Sequence, residues 1–175
     1  MTLTSTLYSA AFANVSCASL WEETNKQQKD CYYSERLVCA LIAKAGSLEV
    51  LKWAREAGLP WNSQTCEAAA GNGHLEVLKW ARSNGCPWDY WTCAAAAGNG
   101  HLEALKYARG NRCRWNGWTC ASAASNGHLE VLKSARANGC RWGPHTGLAA
   151  FQSGNLELLN WARENGCPNI PTLED

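Results

Sequence analysis

The sequence predicts an all-α protein built as a solenoid of stacked helix pairs, and two observations support this prediction. A phrase of 27 residues recurs five times in register over residues 46 to 168, with its glycine at Gly46, Gly73, Gly100, Gly127 and Gly154. Apolar residues within the phrase follow helical rather than strand spacing. One helix pair of this size cannot bury its apolar side, but stacked copies bury it against each other.

Each copy contains two predicted helices. The segment LEVLKWAR alternates apolar and polar residues at helical spacing, and Asn84-Gly85 ends it because glycine suits the left-handed position after a helix. The segment TCAAAAG is a second, shorter helix with Thr92 as its predicted N-cap. Asn99-Gly100 then makes the turn into the next copy. No segment has a strand signal.

A tryptophan follows the longer helix in four successive copies, as Trp61, Trp88, Trp115 and Trp142. A Trp side chain offers about 150–250 Å² of surface to bury. Because this one recurs in a short loop, we expect it to wedge between neighbouring copies. It would fill the seam, the space between neighbouring copies that the small alanine side chains leave empty.

The stretch WTCASAASNGHLEVLKSARANGC resembles the ankyrin repeat. Ala123, Ala124 and the run 126–131 match that family's two alanines and its Asn-Gly-His-Leu-Glu-Val, and the resemblance covers about residues 35 to 170. The motif NGHLEVLKWAR is most similar to the 27-residue ankyrin-type repeats of algae, oomycetes and large protist viruses. Ankyrin repeats run about 33 residues, and the shortfall falls between Trp88 and Trp91, where the family has a β-hairpin finger. The resemblance thus implies an ankyrin-like solenoid with short loops in place of fingers.

The repeats divide the chain into three predicted parts. Residues 1–34 form an N-terminal cap with a helix in YSAAFANVSCASL, residues 35–168 form the array, and residues 169–175 form a C-terminal tail. Solenoids need such polar ends for solubility.

Charge and hydropathy give no reason to expect nucleic acid or a membrane as partner. The chain has 16 Lys+Arg and 15 Asp+Glu, a net charge of +1. No apolar run approaches the roughly 20 residues that span a bilayer, and no Lys or Arg precedes the N-terminal apolar stretch as in a secretory signal. We expect a monomer in the cytoplasm or the nucleus.

Ten cysteines raise the question of disulfides or metal. Eight form two columns, Cys39/Cys66/Cys93/Cys120 and Cys86/Cys113/Cys140/Cys167. Members of one column lie one repeat apart, about 8–10 Å, which exceeds the roughly 7 Å limit for a disulfide and the reach of one zinc ion. Only Cys86 with Cys93, or Cys113 with Cys120, could meet across a loop. We therefore predict reduced core thiols, no metal and no cofactor.

The other recurring polar residues favour a structural role. His74, His101 and His128 follow the turn glycine, where they are expected to make turn-stabilising hydrogen bonds. The Glu76/Lys79 pair recurs and is expected to form a solvated helix face. The Arg82 column could bind anions, but the negative charge of the Glu column offsets it. No Ser-His-Asp set, phosphate loop or isolated carboxylate pair is present, so we predict no enzyme activity.

Positions that differ among the copies are free to serve a partner. The variable columns are Ser63/Tyr90/Gly117/Pro144, Gln64/Trp91/Trp118/His145, Glu67/Ala94/Ala121/Leu148 and Gly71/Gly98/Ser125/Gln152. The last three lie on one face of the shorter helix, which in ankyrin proteins lines the concave, partner-binding side. The predicted partner-binding residues are Gln64, Glu67, Tyr90, Trp91, Trp118, His145 and Leu148. The alternative role of Trp91 and Trp118 is packing against the neighbouring loop.

The predicted function is a protein-interaction module that binds a protein partner on the concave helix face. Two alternatives stay open. One is a thiol-based redox or metal-responsive protein, to which the cysteine columns point. The other is a substrate adaptor for ubiquitin ligation, as some ankyrin proteins are, although no F-box or similar segment is evident.

Overall fold

Ten α-helices, arranged as five pairs, account for most of residues 32–171, the part of the chain that the computed structural model describes. We call the first helix of each pair the A helix. The A helices are α1 (Tyr32–Ala45), α3 (Ser63–Gly71), α5 (Tyr90–Gly98), α7 (Gly117–Ser125) and α9 (Thr146–Gln152). The second, B, helices are α2 (Leu48–Glu56), α4 (Leu75–Ser83), α6 (Leu102–Gly110), α8 (Leu129–Ala137) and α10 (Leu156–Glu164). No strand occurs within residues 32–171, so the all-helical prediction is confirmed there. The helix predicted in YSAAFANVSCASL lies outside the described residues.

The helices form two layers that pack differently. Each A helix packs along the next A helix from α1 to α9, and each B helix packs against the A helix of its own pair. The B helices touch one another only lightly. Alanines allow this close approach of the A helices, and every B helix contributes a leucine to the hydrophobic core. These leucines are fully buried or nearly so: Leu51, Leu78, Leu105, Leu132 and Leu158.

Helices α3, α5 and α7 are capped by Asn or Asp, and the predicted N-cap, Thr92, was wrong. The side chain of Asp89 accepts a hydrogen bond from the Trp91 backbone N–H at 2.9 Å, and Asn62 and Asn116 cap α3 and α7 in the same way. Thr92 lies three residues further on, inside α5 and fully buried. The helix therefore begins before the threonine, because a carboxylate or amide oxygen satisfies its first free N–H groups.

The B helices end as predicted, at a glycine in the left-handed conformation. Gly85 has φ +83°, and the Cys86 N–H donates to the Ala81 carbonyl at 3.0 Å. One copy departs from this pattern, since Arg112 takes the glycine position with φ +65°.

Replacing Arg112 by glycine should stabilise the protein. A residue with a Cβ in the left-handed region costs roughly 1–2 kcal/mol of stability, and glycine avoids that cost. Part of this gain is lost because glycine also raises the conformational entropy of the unfolded chain. We expect Arg112→Gly to raise the free energy of unfolding by about 1 kcal/mol in a denaturant melt. The matched reversal, Gly85→Arg, should lower it by a similar amount. A loss of stability in Arg112→Gly would contradict this account of the turn.

The histidine column joins neighbouring copies. Of the three predicted histidines, His74 makes the expected hydrogen bond: its imidazole Nε2 is bonded to the Lys44 carbonyl at 3.0 Å, in the turn of the preceding copy. The ring lies so close to Gly46 that a Cβ there would come within 2.5 Å of it. In the last copy Asn155 replaces the histidine and donates from Nδ2 to the Gly127 carbonyl at 3.2 Å.

The loop tryptophans fill the seam between copies, as predicted. Three of the four pack edge-on against an aromatic ring of the next B helix. The ring centroids are 5.9 Å apart for Trp61 and Trp80, 6.3 Å for Trp88 and Tyr107, and 6.0 Å for Trp142 and Trp161. Trp115 is the exception, because Ser134 takes the aromatic position in α8. The Trp column is therefore part of the packing between copies.

The arginine column packs on the same tryptophans. The Arg82 guanidinium lies 4.5 Å from the centre of the Trp88 ring and donates to the Cys86 carbonyl at 3.1 Å. The corresponding arginines of three other copies lie 4.1–4.3 Å from Trp61, Trp115 and Trp142. These guanidinium groups thus stabilise the loops by cation–π contact and hydrogen bonding.

Candidate interaction face

The exposed apolar side chains are concentrated on the A helices. Six large apolar residues are exposed in the described part of the chain, and Leu156, at the start of α10, is the one on a B helix. The other five lie on α1, α5, α7 and α9: Leu37, Leu41, Trp91, Trp118 and Leu148. We call the surface formed by these five residues with Gln64, Glu67 and His145 the A-helix face.

An aromatic ladder runs along this face. The ring centroids of Trp91 and Trp118 are 6.2 Å apart with 33° between the planes, and Trp118 lies 5.4 Å from the His145 ring. Tyr90 packs on Trp91 at 4.9 Å. Four sequence-predicted residues are therefore brought together across α5, α7 and the start of α9. Trp91 and Trp118 nevertheless stay 42% and 47% exposed.

Gln64, Glu67 and Trp91 line an open groove of about 730 Å³. The remaining lining residues are Leu37, Asn62, Ser63 and Asp89. Burial first, and then the charge of Asp89, raise the pKa of Glu67. The groove therefore contains two carboxylates beside an exposed indole ring.

Leu148, the last predicted residue, lies on α9 one turn after His145 and is exposed, outside the groove. Two residues of the face were missed by the sequence reasoning. Leu37 lies 27 residues before Gln64 and belongs to the same column, so extending that column one copy upstream would have found it. Leu41 follows it by one helical turn.

Variation between copies also reflects packing, contrary to the prediction that variable positions are free for a partner. A Cβ on Gly117 would lie 2.4 Å from the Gly143 Cα, so the start of α7 and the loop at Gly143 approach more closely than any larger side chain allows. Gly98 is buried against Ser122 of the next A helix. Glycine at these positions therefore permits close contact between copies.

The cysteines are core thiols, as predicted, and the loop thiols bond to backbone carbonyls. All eight described cysteines are free, and Cys167 is the one that is not fully buried. The three loop thiols donate to the backbone carbonyl that precedes the A helix of their own copy: Cys86 to Asn62 at 3.4 Å, Cys113 to Asp89 at 3.1 Å and Cys140 to Asn116 at 3.3 Å.

Residues 32–171 have neither a metal-ligand cluster nor a helix suited to a membrane. They contain no group of three or more His, Cys, Asp or Glu side chains placed to hold one metal ion. None of their helices has both the length and the apolar character that crossing a membrane requires.

Comparison of the chain with models of known protein families and with curated proteins gives no match. The ankyrin resemblance therefore depends on the repeat residues themselves. Function has to be argued from the A-helix face and from the buried groups of the array.

Proposed function

We propose that the chain is a non-enzymatic interaction module of ankyrin-like repeats whose A-helix face binds a protein partner. The observation that carries this proposal is the aromatic ladder, in which Trp91 and Trp118 are nearly half exposed on adjacent helices. Tryptophan is highly buried on average in folded proteins, and exposed apolar patches mark interaction sites. Tryptophan is also among the residues most enriched in binding hot spots.

The contrast between the two helix layers supports the choice of face. The B helices carry solvated Lys–Glu pairs at 2.8–2.9 Å, in which the glutamates are 71–83% exposed. The A helices α5, α7 and α9 contain no Asp, Glu, Lys or Arg. Closer packing among the A helices than among the B helices also favours a stack that is concave on the A side. A concave apolar surface suits a protein segment.

The charges of the groove define the partner's chemistry at one end of the face. Glu67 and Asp89 repel each other, as the raised pKa of Glu67 reflects after the effect of burial. A Lys or Arg side chain from the partner would offset this repulsion and lie against the Trp91 ring, a favourable cation–π arrangement. The partner segment therefore combines a basic residue at the groove with apolar residues over the ladder.

Affinity capture from the native cell tests this proposal. The full chain, the double variant Trp91→Ala/Trp118→Ala and the control Leu156→Ala are used as bait, and bound proteins are quantified by mass spectrometry. Leu156 is the matched control because it is exposed and apolar but lies on a B helix. We expect a partner that the wild type and Leu156→Ala retain and the double variant loses. Equal capture by all three baits would contradict the proposal.

A further inference from the structure

The aromatic ladder forms a continuous strip of ring surface along the stack of A helices. The indoles of Trp91 and Trp118 have centroids 6.2 Å apart and planes tilted by 33°, and His145 continues the row 5.4 Å from Trp118. Both indoles stay nearly half exposed. A ligand that uses the whole strip must therefore run along the stack and contact one copy after another.

The common modes of peptide recognition differ in what the receptor must supply. Strand addition needs the edge of a sheet, and residues 32–171 contain no strand. An amphipathic helix needs a hydrophobic groove, whereas the groove beside Trp91 contains the carboxylates of Glu67 and Asp89. Phosphopeptides need clustered arginines, and α5, α7 and α9 contain no Lys or Arg. The mode that this face does supply is an aromatic surface for a proline-rich segment.

A proline-rich segment also suits a surface made of helices. Helical backbone groups bond within their own helix, so the face offers few partners for the backbone N–H groups of a ligand. Proline has no N–H, and the carbonyls of a polyproline II helix point outward with no internal hydrogen bonds. The side chains of Trp91 and Trp118 make no hydrogen bond among residues 32–171, so their indole N–H groups can donate to such carbonyls.

The repeat distance of polyproline II matches that of the stack. One turn of this helix contains three residues and rises about 9.3 Å, and packed α-helices lie about 8–10 Å apart. The helices α3, α5, α7 and α9 pack side by side in that order. Residues three apart in the ligand would therefore meet successive copies, first at Glu67 and then at Trp91, Trp118 and His145.

On the basis of the proposed function of this face, we propose that the partner segment is proline-rich and binds in the polyproline II conformation. A Lys or Arg of the segment lies in the groove, where both charged lining residues, Glu67 and Asp89, are carboxylates. Prolines at every third position from that cation then pack on Trp91, Trp118 and His145. The groove thus sets the register of the segment, and the strip supplies most of the contact area.

Fluorescence anisotropy with labelled synthetic peptides tests the proposal. The probe RPLPPLPPLP carries arginine at one end and proline at every third position from it, and the reversed peptide PLPPLPPLPR covers the other chain direction. We expect at least one of them to bind the full chain with a Kd below about 1 mM. Alanine in place of every proline should weaken binding at least tenfold, because the peptide then loses its preformed conformation.

Variants of the face locate the bound peptide. Trp118→Ala should weaken binding at least tenfold, whereas Leu156→Ala, changed on a B helix, should bind like the wild type. Glu67→Gln should weaken the arginine peptide several-fold but not a peptide with glutamine in place of arginine. Asp89 is left unchanged because it caps α5. Circular dichroism establishes that each variant is folded.

Absence of binding by both peptides, or equal binding by Trp118→Ala and the wild type, would overturn the proposal. Unchanged affinity of Glu67→Gln for the arginine peptide would reject the placement of the cation in the groove. A captured protein that depends on Trp91 and Trp118, together with no peptide binding, would reject the polyproline ligand and leave the proposed function standing. Failure of both experiments would reject both.

Discussion

Replacing Trp88 by alanine is expected to lower the free energy of unfolding by about 3 kcal/mol, the low end of the range for Trp→Ala in a core. The indole is mostly buried between two copies, packs edge-on against Tyr107 at 6.3 Å and lies under the Arg82 guanidinium. Burial contributes roughly 25 cal/mol per Å² of apolar surface, and the aromatic pair adds about 0.5–1.5 kcal/mol. Denaturant melts measure this loss.

Trp115→Ala is the internal control for that result. Trp115 keeps the cation–π contact with Arg109 at 4.1 Å but faces Ser134 instead of an aromatic ring. Its removal should therefore cost about 1 kcal/mol less than that of Trp88, the value of an aromatic pair. A Trp88→Ala variant as stable as the wild type would contradict the seam-filling role of the loop tryptophans.

The opposite pattern is expected for Trp91 and Trp118. Each should cost about 1 kcal/mol of stability when replaced by alanine, as for a typical point change, because the rings are nearly half exposed and alanine is the better helix former. Affinity for the captured partner should fall by about 2 kcal/mol or more in the double variant, as for hot-spot residues, which is roughly 30-fold in the dissociation constant. Calorimetry with the purified partner measures that change.

Equal destabilisation by Trp88→Ala and Trp91→Ala would mean that the ladder belongs to the packing between copies. That outcome would leave the A-helix face without its main binding residues. The Leu156→Ala variant should match the wild type in affinity, because Leu156 lies on the B layer.

The helix pairs and the seam could be predicted because each depends on residues that recur. Helical spacing, the glycine at Gly85 and the Trp88 column all repeat at 27 residues, so each copy confirms the pattern of the others. The N-cap was misplaced because Asp89 occupies a variable position while Thr92 recurs. The recurring threonine is buried within the helix, and the variable polar residue before it makes the cap.

The candidate site was only partly predictable. Comparing copies identified Trp91 and Trp118, because their column also accepts Gln64 and His145 and so tolerates polarity. The same comparison treated Gly117 as free, although this first residue of α7 lies too close to Gly143 for a side chain. Sequence variation between copies does not distinguish a position that contacts a partner from one that contacts a neighbouring backbone.

The hydrogen bonds of the loop thiols were missed for a related reason. Distances within one column follow from the repeat spacing, and they excluded bridges and clusters along it. The hydrogen bond from each loop thiol to a carbonyl depends on how the loop after the B helix folds back over the start of the A helix. That path brings Cys86 to Asn62, and the repeat spacing does not specify it.

The affinity of the captured partner for Trp118→Ala, measured beside Trp115→Ala, tests the central claim most directly. The two tryptophans lie three residues apart, one on the A-helix face and one in the seam. The account predicts that Trp118→Ala loses affinity by at least several-fold while folded Trp115→Ala binds like the wild type. Unchanged binding by Trp118→Ala, or an equal loss in both variants, would contradict it.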